Sequence, residues 1–171
     1  MTLPARKPTR LPHFDYSTPG AYFITICAAG RKNILSHIVG GGALDAPHIS
    51  LSHVGEIVQR RLLSGNNIPN VRVEKYVIMP NHIHFILMVE AACIKGTSKA
   101  PSPTNAIVPH FVSTFKRFCH QDVGNRFFQR SYHDHVIRNE TDYLRIWEYI
   151  DNNPILWKED CFYRDAMEVE A

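Results

Sequence analysis

The spacing of apolar residues changes period along this chain, and the changes mark its elements. Ala21 to Ala28 (AYFITICA) is dense in aromatic and β-branched side chains, which suit a pleated, buried surface, and predicts a first strand. Gly40-Gly41-Gly42 and Pro47 predict a loop ahead of a short apolar segment, His48 to Leu51. From Ser52 the spacing turns helical. Val54, Val58 and Leu62, joined by Ile57, share a face, and Ser52 is a natural N-cap because its hydroxyl can accept an otherwise orphaned amide. Gly65, Asn66 and Asn67 end that helix. Val71 to Met79 and His82 to Val89 are strand-like runs joined by Pro80-Asn81, a tight hairpin or a kinked strand pair. Residues 95–104 form a polar linker. Asn105 to Gln121 then places Ile107, Phe111, Phe115 and Phe118 on one helical face, with Lys116, Arg117 and His120 expected away from it. A short strand is expected around His135–Arg138, and a last helix over Thr141–Asn152, which Pro154 ends. The order strand, helix, strand, strand, helix, strand, helix predicts an α+β sandwich with an antiparallel sheet.

Composition narrows the class. A chain of 171 residues can bury one core without staples, and 44% hydrophobic with 20% charged residues is ordinary for a globular protein. No apolar run approaches the roughly 18 residues of a membrane-spanning helix. Met1 to Pro12 carries Arg6, Lys7 and Arg10 with no apolar stretch behind them, unlike a secretory signal. Cys27, Cys93, Cys119 and Cys161 are scattered, without a Cys-x-x-Cys pair, and read as reduced thiols of a cytoplasmic protein. Residues 1–20, basic and punctuated by Pro4, Pro8, Pro12 and Pro19, are expected to be an N-terminal arm; 21–157 form the domain and 158–171 a C-terminal tail. A net charge of +3 permits a polyanionic partner without demanding one.

Two local patterns carry chemistry. In a strand alternate side chains share a face, so His82 and His84 project together while Ile83 points into the core; two adjacent imidazoles suit a divalent cation. The plain alternative is a pair of surface histidines on a hairpin, against which stands the apolar strand around them. On the last helix Tyr143, Ile146, Trp147 and Ile150 make the apolar stripe. Tyr149 and Asn153, four apart, are neighbours on another flank. Tyr149 can offer its hydroxyl outward and Asn153 a carbonyl oxygen as a third ligand, or the two are a packing residue and a helix cap.

In this setting His82-Ile83-His84 after Met79-Pro80-Asn81 resembles the histidine–hydrophobic–histidine motif of the Y1 (HUH-type) transposases of the IS200-like family. Phe128 to Glu140 (FQRSYHDHVIRNE), followed by Tyr149-Ile150-Asp151-Asn152-Asn153-Pro154, is similar to a subgroup, the REP-associated tyrosine transposases. Phe14-Asp15-Tyr16-Ser17 through Tyr22-Phe23-Ile24-Thr25-Ile26 resembles it too. The similarity runs in order from Pro12 to Trp157.

The resemblance implies a ferredoxin-like antiparallel sheet with helices packed on it, and a divalent metal, Mg²⁺ or Mn²⁺. His82, His84 and Asn153 would be its ligands and Tyr149 the nucleophile, with Tyr132 the main rival. It implies cleavage and rejoining of single-stranded, hairpin-bearing DNA through a 5′-phosphotyrosine, by a monomer or homodimer with no membrane partner. Lys116, Arg117, Arg138, Arg6, Lys7 and Arg10 are the candidate phosphate contacts, and Phe14 and Tyr16 candidate stacking residues for unpaired bases. Two other functions compete: a nucleic-acid-binding relative that cleaves nothing, and a small metal-dependent phosphodiesterase using water rather than Tyr149.

Overall fold

The computed structural model describes residues 14–40, 46–91 and 106–163; Arg6, Lys7, Arg10 and the 95–104 linker lie outside these. Strand β1 (Gly20–Cys27) is followed by β2 (Ser36–Val39), β3 (His48–Leu51) and helix α1 (His53–Ser64). Strands β4 (Val71–Ile78) and β5 (His82–Val89) come next, then α2 (Ile107–Val123), β6 (His133–Ile137) and α3 (Glu140–Asn152). The main sheet has the order β4-β5-β1-β6, and every pairing in it is antiparallel. This is the expected ferredoxin-like arrangement of α+β class. Sequence reading did not anticipate β2, which pairs with β3 in a separate two-stranded ribbon.

Local chemistry accounts for the boundaries. Ser52 caps α1 by accepting from the Gly55 amide, and Asn139 caps α3 by accepting from the Asp142 amide. Gly124, with φ of 80°, closes α2 in the left-handed conformation. Gly55 is dictated by space, since a Cβ there would overlap the Leu35 carbonyl oxygen.

Period-two alternation divides the sheet into two faces. Tyr22, Ile24 and Ile26 of β1 and Ile83, Phe85 and Leu87 of β5 form one core with α1 and α2. Ala21 of β1, Val77 of β4 and Ile86 of β5 form a second core with Ile146 and Ile150 of α3. His82 and His84 fall on this second face, beneath α3. They sit in a central strand flanked by β4 and β1, which is why both are buried.

The structure corrects three surface expectations. The buried stripe of α2 runs through Val108, Phe111, Val112, Phe115 and Cys119, while Phe118 is 37% exposed. Tyr16 is buried in the first core and so is not presented to unpaired bases, while Phe14, partly buried, packs edge-on against it. Lys116, expected on the outer side of α2, is buried. Its ammonium donates to the carbonyls of Gln129 (2.9 Å), Arg130 (3.4 Å) and Ser131 (2.8 Å) and stands over the Tyr132 ring. Burial lowers its pKa from 10.5 to about 8.

Three donors meeting three carbonyls make Lys116 the anchor of the 129–131 segment. Lys116→Met keeps the stem but strands those acceptors, at a cost of about 3 kcal/mol. For a chain of this size that lowers the melting temperature by roughly 6–12 °C. Thermal denaturation checks it, and an unchanged midpoint would mean that water replaces the ammonium.

Candidate metal and tyrosine site

The His82 and His84 rings are 4.4 Å apart, centroid to centroid, on the α3 face of β5. Their outer nitrogens are oriented by their neighbours. Asn81 donates through Nδ2 to the carbonyls of Arg31 (3.2 Å) and Phe162 (2.8 Å), so its Oδ1 is the acceptor facing His82. The His82 Nδ1–H therefore donates to Asn81 Oδ1 at 2.9 Å, leaving the Nε2 lone pair buried with no hydrogen-bond partner among the described residues. His84 Nδ1 lies 2.8 Å from Thr25 Oγ1, its neighbour across the β1–β5 register, an arrangement that can hold the proton on Nδ1 and turn Nε2 outward.

Asp160 faces this pair. One ligand atom from each of His82, His84 and Asp160 lies within 4.8 Å of the others, close enough for one ion. Asp160 Oδ1 accepts from the Phe162 amide (2.6 Å) and Oδ2 from Asn153 Nδ2 (3.1 Å). Asn153, just past the end of α3, keeps Oδ1 buried and, among the described residues, without a hydrogen-bond partner. A buried imidazole nitrogen and a buried amide oxygen without partners are costly unless something electrophilic satisfies them. Two imidazoles, a carboxylate and an amide oxygen fit a divalent cation of the Mn²⁺ type.

Tyr149 lies one turn before Asn153 on α3. Its hydroxyl is 3.4 Å from His84 Nε2 and 3.4 Å from Asp160 Oδ2, at the loose end of hydrogen bonding. It is 40% exposed, whereas the two histidines are fully buried. Burial, followed by the Asp160 charge, pushes its pKa up to about 12. Phe162 closes the site from the other side, 4.7 Å from the His82 ring and under the Arg31 guanidinium.

The arrangement brings together His82, His84, Tyr149 and Asn153 from separate parts of the sequence. Tyr132, the rival nucleophile, is buried in the core on the opposite face of the sheet. Asp160 was not singled out in the sequence, where it falls in the stretch read as a tail. Its position depends on the chain reversing after α3, and Pro154 is the only sign of that reversal. Arg117 lines a groove of about 860 Å³ along α2, together with Arg126 and Arg130. Arg138 is exposed just past the end of β6. Lys116 also borders the groove, but its ammonium is committed to carbonyls.

The histidines give a pH signature. Burial lowers the His82 pKa from 6.5 to about 4, and burial with the neighbouring His82 holds His84 well below 6.5. The unfolded chain therefore takes up protons first as pH falls. This contribution to stability is complete above about pH 6.5 and is lost as pH drops towards 4. Urea denaturation between pH 7.5 and 4.5 should show the midpoint falling with acid, more shallowly in His84→Gln; a wild-type midpoint independent of pH contradicts it. At neutral pH both rings are free to bind metal without losing a proton.

No family model matches the chain. Among solved structures, a REP-associated tyrosine transposase bound to a REP hairpin superposes with a TM-score of 0.61 at 16% identity, covering 88% of this chain and 73% of that one. The chain shares that protein's fold. A candidate transposase from Deinococcus radiodurans R1 aligns at a TM-score of 0.46 and 16% identity, over 79% of this chain and 91% of that one. An uncharacterized protein of Haemophilus influenzae (strain Rd) is 33% identical over 94% of each chain, and this chain belongs to one family with it.

Proposed function

We propose that this protein is a metal-dependent tyrosine transposase that nicks and rejoins single-stranded, hairpin-bearing DNA. The observation that carries the reading is the buried His82 Nε2, turned away from Asn81 and without a hydrogen-bond partner, within one ion's reach of His84 and Asp160 and beside the Tyr149 hydroxyl. A buried nitrogen with its lone pair so placed is suited to bind a cation.

His82, His84 and Asp160, with Asn153 Oδ1, would hold Mg²⁺ or Mn²⁺, which supplies positive charge against a non-bridging phosphate oxygen and the phenolate. Tyr149 attacks the phosphorus. The bond to the departing 3′-oxygen breaks, the phenolic proton ends on that oxygen, and the DNA is left with a free 3′-hydroxyl and a 5′-phosphotyrosine. The phosphotyrosine bond retains the energy of the broken linkage, so another 3′-hydroxyl can reverse the step without a nucleotide cofactor. Thr25 and Asn81 hold the histidine rings in place. The Arg117, Arg126 and Arg130 groove, with Arg138, offers charge to the DNA backbone, and affinity should fall steeply with salt.

The test is a labelled single-stranded hairpin incubated with the protein and Mn²⁺, then boiled in SDS. A labelled band that travels with the protein supports the tyrosine mechanism. Hairpin binding with no cleavage assigns a binding protein, and cleavage with no adduct a hydrolase using water.

A further inference from the structure

A cavity of about 420 Å³ opens beside Tyr149, with Thr25 and His84 in its lining. Phe23 and Ile146 add apolar wall, and His135 and Arg145 bring polar groups. Ligand-sized pockets run from roughly 300 to 1,000 Å³, so this one suits a single nucleotide and not a duplex stem.

Two features mark it as more than a dent. Phe23 is only half-buried in a stretch of β1, Ala21 to Cys27, that is otherwise buried. Its ring stacks over His84 at 5.2 Å and meets Tyr149 edge-on at 6.0 Å. Arg145 lies one turn before Tyr149 on the same flank of α3, so the row Arg145, Tyr149, Asn153 runs along the helix. Asp142 accepts from Arg145 Nη2 at 2.7 Å and from His135 Nε2 at 2.7 Å, so one carboxylate holds both donors; His135 stands directly across the β1–β6 register from Phe23. The Arg145 side chain is 72% exposed, where an ion pair adds little stability. Among the described residues only one of its five N–H donors meets a protein acceptor, leaving a planar fork free for an anion.

We propose that this cavity is a subsite for one nucleotide next to the scissile phosphate, with its base against Phe23 and its phosphate on Arg145. An aromatic face beside a single guanidinium is the surface that takes an unpaired base together with its backbone charge. The inference rests on the reading that Tyr149 acts on DNA, and it names the group that fixes the strand beside the nucleophile.

The test is the affinity of the full chain for pentathymidylate in EDTA, where no divalent ion supports cleavage. Arg145→Ala is expected to weaken binding about tenfold and Phe23→Leu about fivefold. Arg145→Lys should recover part of the loss, and melting temperatures serve as the folding control. The Arg145→Ala effect should vanish on a methylphosphonate analogue without backbone charge. Wild-type affinity in both variants, or an equal loss on the uncharged analogue, overturns the subsite. Reduced affinity in a protein that forms no covalent adduct with hairpin DNA leaves the subsite standing and removes the tyrosine reading; unchanged affinity in a protein that does form the adduct has the opposite meaning.

Discussion

Tyr149→Phe is expected to abolish the SDS-resistant DNA adduct and to slow strand cleavage by at least about a thousandfold. The substitution deletes one oxygen and keeps the ring that packs on Phe23 and His84. Single-stranded DNA affinity should therefore stay within about twofold of wild type, because the hydroxyl is one weak donor among many contacts. The effect is large because the phenol combines exposure with closeness to His84 and Asp160. Its raised pKa means that its nucleophilicity depends on positive charge brought to the site. Tyr132→Phe is the matched control: that hydroxyl is buried on the other side of the sheet, and its loss should leave the adduct intact. An adduct that survives in Tyr149→Phe would remove Tyr149 from the chemistry.

The second large effect concerns the ion. Mn²⁺ at about a hundredfold over its dissociation constant should stabilise the wild-type protein by about 2.7 kcal/mol. That is a rise in melting temperature of roughly 5–11 °C for a chain of this length. His82→Ala and His84→Ala should each abolish both the rise and cleavage, while DNA binding persists through the arginines. Asp160→Asn should reduce the rise without eliminating it, because one of four donors is weakened. The comparison is made within each variant, with and without Mn²⁺, so any cavity the substitution leaves cancels. A wild-type midpoint indifferent to Mn²⁺ and Mg²⁺ would mean that the histidine pair serves another purpose.

Much of this was legible in the sequence because strands and helices write their periods into it. The alternation around His82-Ile83-His84 gave the shared face of the two imidazoles, and the four-residue step from Tyr149 to Asn153 gave their common flank. Ser52 announced α1 through its capping chemistry. What the sequence left unseen depends on tertiary packing. Lys116 sits where helical spacing predicts a solvent-facing residue, but the 129–131 segment folds over it and supplies carbonyls that no local pattern reveals. Phe118 and Cys119 exchange places at the margin of the buried stripe, since a helix period leaves adjacent positions nearly equivalent. The β2 strand is short and pairs only with β3, so it carries too little alternation to stand out. Asp160 caps a single 3-10 turn, Trp157–Glu159, too short to write a period into the sequence.

The two faces of the sheet have a consequence for how this molecule can change. The ion's ligands and the tyrosine lie beneath α3, whereas the arginine-lined groove belongs to α2, which packs on the opposite core. Changes at side chains far apart in the fold are usually close to additive. If the proposed function holds, the α2 groove could be rewritten for a different nucleic-acid shape with little effect on the residues around Tyr149, a division of labour that would let one scaffold serve many targets.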